Sequence, residues 1–173
     1  NTGALNSKGE YIAFLDDDDE FLPEYIENKV NLLNQASCEY GVCLSNYYFE
    51  KGRKWEKSNL TDKNCRFADL FTGELDFGAS SNIFIKREVF EKVGLWDEEL
   101  LRQQDLDYMV RIMHNSRLIL DHKFLLKVYG HNEPNSLKSF EQRELYNEKI
   151  AKYVLELDPA DRKMYYSHHF RRQ

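Results

Sequence analysis

Four consecutive aspartates, Asp16, Asp17, Asp18 and Asp19, sit between the apolar run YIAFL and Pro23. Adjacent carboxylates repel one another unless a cation lies among them. On an extended segment alternate side chains point the same way, so Asp16 and Asp18 can converge on one hard divalent ion. Mg²⁺ or Mn²⁺ suits such oxygen ligands and would be shared with a phosphate. The competing explanation is a solvated acidic loop. A second acidic pair, Asp105 and Asp107 in RQQDLDYMVR, falls where a helix begins. There the helix dipole stabilises a carboxylate, and capping alone accounts for both residues on spacing. The third polar site is His131 in VYGHNEPNS, which taken alone is an ordinary loop histidine.

Elements must carry these groups. Residues 11–15 form a continuous apolar run, the pattern of a strand buried on both faces, as in a parallel sheet. Pro23 suits the first turn of a helix, and Leu22, Ile26, Val30 and Leu33 follow at helical spacing. Strand, acidic loop, helix is the order in which open α/β sheets present ligand sites at strand carboxyl ends. A second strand is expected over 40–49, with a hairpin return near 54–57. A short helix over 65–71 is closed by Gly73. A third strand over 82–85 runs into a helical turn at 87–93, followed by a helix to about 115. A fourth strand over 124–129 and a helix over 139–157 complete the pattern, and the segment from Asp158 reads as a polar, aromatic tail.

The composition sets limits. The chain has 173 residues, 42% hydrophobic and 31% charged, which is globular and enough for one domain with a core. Its net charge of −6 argues against a nucleic-acid partner. No apolar run reaches membrane-span length and no signal peptide opens the chain. Cys38, Cys43 and Cys65 lack a CxxC pairing and read as reduced thiols of a cytosolic protein. The absence of an initiator Met suggests part of a longer protein.

Three blocks together, NTGALNSKGEYIAFLDDDDEFLPEYI, SSNIFIKREVFEKVGLWDEELLRQQDLDYMVRI and VYGHNEPNSL, resemble the central and C-terminal parts of bacterial family 2 glycosyltransferases. The resemblance covers about residues 1–137, with 138–173 as a helical extension. It implies a GT-A-like α/β fold, a mixed sheet flanked by helices without the N-terminal strands. It also implies an inverting transfer from a nucleotide sugar, most simply a UDP-sugar, to a saccharide or lipid-linked acceptor in surface polysaccharide synthesis. Asp16 and Asp18 match the ends of the family's DxD motif, which handles the donor ribose and the metal on its diphosphate. Asp17 fills the variable position. Asp105 matches the catalytic base, with Gln104 where many members have Glu. Arg111 falls at an arginine that is structural or phosphate-facing. His131, in a loop ending at Ser136, matches a histidine that ligates the metal in some relatives. Asn1, Gly3 and Gly9 match the segment passing the nucleotide, and Trp96 and Asp97 are placed to hold an acceptor sugar, although Trp96 serves equally well as core.

The cofactor implied is Mn²⁺ or Mg²⁺, and the location is the cytoplasm, at the inner membrane face. A nucleotide-sugar or carbohydrate binding module of the same fold is the alternative. A Ca²⁺-binding domain lacks the Gly and Glu spacing of an EF-hand. Without flanking strands, residues 11–15 would form a sheet edge. The chain is therefore expected to self-associate there, unless the tail folds over the gap.

Overall fold

The structure is a computed structural model; it describes residues 1–130 and 137–170, leaving out the side chains of 137–139 and 168–170. The chain opens with helix α1 (Thr2–Asn6), strand β1 (Tyr11–Ala13) and a two-residue strand β2 (Glu20–Phe21). Helix α2 (Tyr25–Gln35) leads into the hairpin of β3 (Tyr40–Lys51) and β4 (Lys54–Lys57). Helix α3 (Phe67–Thr72) ends at Gly73, whose φ of 76° is the left-handed conformation that glycine adopts without strain. A 3₁₀ turn (Ser80–Asn82), β5 (Phe84–Lys86) and α4 (Arg87–Val93) follow, then α5 (Gln104–Asn115), β6 (Arg117–Val128), α6 (Leu137–Glu156) and α7 (Pro159–Phe170).

The strands form one mixed sheet in the order β1-β5-β3-β6-β2, with β4 on the far end of β3. Among the described residues only β3 and β6 run parallel; every other pairing is antiparallel. Long parallel strands flanked by helices and short antiparallel partners make an α/β, GT-A-like architecture. The core is apolar at the centre of β3, β5 and α5, where Val42, Leu44, Ile83, Ile85, Met109 and Ile112 are fully buried.

Several expectations need correction. The strand at residues 11–15 is three residues long, is antiparallel to β5 and is not buried on both faces. Ile12 is 4% exposed but Leu15 is 51% exposed, because β1 has a strand neighbour on one side only among the described residues. Pro23 precedes α2 in a turn rather than entering it, and Glu24 takes a left-handed φ of 70° at the N-cap. The fourth strand begins seven residues before Phe124, at Arg117, since its parallel pairing with β3 tolerates charged residues that sequence alternation does not read as strand. Among the described residues the segment from Asp158 is helical. It forms α7, which packs on α3 through Tyr165 and Phe71, ring centroids 6.2 Å apart, and through Arg66 and Asp161 at 3.4 Å.

Candidate active site

The aspartate run is not extended. The Asp19 amide donates to the Asp16 carbonyl at 3.2 Å and closes a four-residue turn, so the turn, not strand alternation, aims the carboxylates. The Ser80 hydroxyl lies 2.8 and 2.9 Å from the two oxygens of Asp16, and the Asp16 amide donates to Ser81 Oγ at 2.9 Å. Asp17 is exposed and Asp18 partly buried. Asp19 turns inward and accepts the amide of Tyr129 at 3.1 Å, which ties the acidic turn to the end of β6. Burial pushes the Asp19 pKa up, partly offset by the Ser81 hydroxyl and the Tyr129 amide. The expected ligand His131 and its neighbour Ser136 lie outside the described residues.

Asp105 lies in the first turn of α5. Burial raises its pKa above the ordinary 3.8, against the pull of the Leu106 amide and its own; the charges of Asp16 and Asp76 push it further up. Asp105 therefore lies within electrostatic reach of Asp16. Both line one cavity of about 970 Å³, together with Asn1, Gly3, Ser80, Trp96 and Arg143. Gly78 also lines it: φ is 85°, and a Cβ there would fall 2.8 Å from the Tyr47 ring.

Asp107 plays a different part from Asp105. It is 4% exposed, and one of its oxygens accepts from Arg111 Nε at 2.9 Å and Nη2 at 2.7 Å. The remaining Arg111 nitrogen donates to the carbonyls of Val93 and Leu95 at 2.8 and 3.0 Å. Arg111 is thus a structural clasp between α4 and α5.

The other expected site residues divide. Trp96 is both core and wall: it stacks on Tyr108 at 4.3 Å, meets Phe14 edge-on at 5.2 Å and still lines the cavity. Asp97 does not line the cavity; Lys149 sits 2.6 Å from its carboxylate and holds it below the usual carboxylate range. Asn1 is at the wall, its amide exchanging hydrogen bonds with the Trp96 backbone at 3.0 and 2.9 Å. Gly9 is not at the wall; its carbonyl accepts from Arg87 Nε at 2.5 Å.

Helix α6 supplies residues that sequence reasoning did not place here. Gln142 Oε1 accepts the Leu101 amide at 2.6 Å, and Lys149 bridges Asp97 and Glu99. Together they clamp the loop that leads to Asp105, while Arg143 reaches the cavity wall. No local pattern signals contacts of this range.

Among the described residues, no three His, Cys, Asp or Glu side chains are grouped to hold a metal ion. No helix of the described residues is long and apolar enough to cross a membrane.

The family model described as Glycosyl transferase family 2 matches residues 1–94, a segment that includes the acidic turn and the Ser80–Asn82 turn and stops short of Asp105. An uncharacterised glycosyltransferase of Rickettsia typhi is 27% identical over 157 residues, covering 84% of this chain and 48% of the relative. One from Methanocaldococcus jannaschii is 28% identical over 150 residues, covering 82% and 49% respectively. The crystal structure of S. aureus TarS 1–349 superimposes with a TM-score of 0.62 at 14% identity, over 95% of this chain and 46% of that one. This chain thus spans about half the length of these proteins.

Proposed function

Because the chain belongs to glycosyltransferase family 2, we propose that it carries the catalytic half of an inverting sugar transferase. Its donor would be a nucleoside diphosphate sugar, a UDP-sugar in the simplest case, and its acceptor a saccharide or lipid-linked saccharide of a surface polysaccharide. The observation that carries this reading is the partly buried carboxylate of Asp105, its pKa raised by desolvation, lining one cavity with Asp16. Inversion needs a base on the acceptor side of the sugar and the leaving diphosphate on the other. Asp105 takes the proton of the acceptor hydroxyl as its oxygen bonds to the anomeric carbon. The bond from that carbon to the diphosphate oxygen breaks, and the electron pair leaves with the nucleoside diphosphate. Asn1 and Gly3, at the cavity wall, would lie beside the nucleotide, with Asp16 and Asp17 toward its ribose.

A divalent cation fits the acidic turn on donor chemistry. Asp16 and Asp18 supply hard oxygen ligands, and Mg²⁺ or Mn²⁺ at such sites needs only one or two protein carboxylates when phosphates complete the shell. Asp16 and Asp18 would hold it, with His131 as a third ligand. When bound, it would offset the charge on the departing diphosphate. Trp96 offers an aromatic face to an acceptor sugar; Asp97, spent on Lys149, would contribute only through the loop it anchors. The setting that fits this chemistry is the cytoplasm, at the inner face of the membrane.

The experiment is a turnover assay on the intact protein with UDP-sugars and Mn²⁺, beside a UDP titration. Release of UDP dependent on an acceptor is the expected result. Tight UDP binding with no release under any acceptor would make the protein a binding module of the same fold.

The open edge of β1 supports one further reading, that the 173-residue chain pairs with a second copy there. Leu5 and Leu15, 64% and 51% exposed, would be covered. Sedimentation over a concentration series should show a monomer–dimer equilibrium, and a monomer at every concentration would reject it.

A further inference from the structure

Lys29 is fully buried, at 0% exposure, and among the described residues donates to no carboxylate. Its ammonium reaches the Cys43 carbonyl at 3.1 Å, the Asn82 carbonyl at 3.5 Å and Asn82 Oδ1 at 3.4 Å, and lies 4.5 Å from the centroid of the Tyr25 ring. An ammonium held this way is costly to bury, and a neutral side chain of equal volume would cost less. What the charge organises is the 3₁₀ turn. Asn82 Oδ1 also accepts the Ser45 amide at 2.9 Å, and Asn82 Nδ2 donates to the Ser45 and Phe77 carbonyls at 2.8 and 3.0 Å. The Ser81 carbonyl accepts the Tyr25 hydroxyl at 2.7 Å. Helix α2, strand β3 and the turn are thereby locked together, and the two serines of the turn are those that hold Asp16.

We propose that Lys29 is a positioning residue for the donor site: its buried charge fixes the Ser80–Asn82 turn, and the turn fixes the Asp16 carboxylate. The proposal rests on the reading of Asp16 as a donor-site residue. Desolvation pulls the Lys29 pKa down to about 8. The titratable groups packed against it are Tyr25 from α2, Cys43 from β3 and Asp121 from β6. Burial pushes the Cys43 thiol up to about 11 and the Tyr25 phenol well above 10, so neither changes charge near pH 8. Above that pH the ammonium is lost, and with it a donor to Asn82.

The test measures UDP affinity in the presence of Mn²⁺ on the intact protein between pH 7 and 9. The wild type should weaken at least several-fold as the pH passes 8. Lys29→Met, close in volume and neutral, should bind about tenfold more weakly at pH 7, lose that pH limb and keep its thermal transition. Ser80→Ala cuts the same chain at a partly exposed position; it should also lose the limb, and combining it with Lys29→Met should add little further loss. Full wild-type affinity in Lys29→Met, or an undiminished limb in Ser80→Ala, would overturn the proposal; the second holds even if Lys29→Met does not fold. Failure of the wild type to bind UDP would instead sink the donor-site reading itself.

Discussion

Asp105→Asn in the intact protein should leave donor binding near normal and lower turnover by about 10²–10⁴-fold, the usual contribution of a general base. The geometry sharpens the expectation. Asp105 must be ionised to accept a proton, and its pKa is raised by burial, so the acid limb of the wild-type pH–rate profile should lie above the ordinary 3.8. The stability sign runs the opposite way. A carboxyl whose folded pKa exceeds its unfolded value costs the native state stability as pH rises through that interval. The Asn variant escapes that cost, so at neutral pH it should melt no lower than the wild type while turning over far more slowly. Asp107→Asn should do the reverse, losing thermal stability through its broken pairing with Arg111 and keeping turnover in the protein that stays folded. Steady-state kinetics beside calorimetry on both variants would separate the two roles. A dead Asp107→Asn beside a fully active Asp105→Asn would place the base one helical step away.

Asp18→Asn should abolish metal-dependent nucleotide binding, because it removes an anionic ligand at constant shape. Titration calorimetry of UDP with and without Mn²⁺ reads this directly: the wild type should gain affinity from the metal and the variant should not. Equal Mn²⁺-dependent affinity in both proteins would leave the acidic turn a solvated one. The effect should exceed that of Asp17→Asn, since Asp17 is exposed and Asp18 is partly buried.

Much of the scaffold could be read from local pattern. Lys54–Lys57 and Arg87–Val93 fall where turn residues and spacing put them, and Gly73 stops α3 in the left-handed conformation anticipated. Asp16 and Asp105 share a cavity, although spacing alone read Asp105 as a helix cap. What local pattern hid is long in range or against type. The first part of β6 is a strand because β3 lies alongside it, although Asp121, paired with Ser45, does not read as one. The direction of the aspartates depends on Ser80, more than sixty positions later. Lys29 sits among helical charges in the sequence and in the core of the fold. Each of these is decided by a neighbour that periodicity cannot see.

The clamp from α6 also orders events in time. Leu101 and Gln142 are 41 positions apart, and Lys149 and Glu99 are 50. Synthesis runs from the N-terminus, so the acidic turn, the serine turn and Asp105 all leave the ribosome before the helix that grips the loop ahead of the base. A chain paused between Asp105 and α6 already has both carboxylates of the cavity, and Asn1 already holds Trp96, yet the loop lacks its contacts to Gln142 and Lys149. The loop ahead of Asp105 is therefore fixed last, by Gln142 and Lys149, and the assembly of this cavity is clocked by a helix rather than by its own acids.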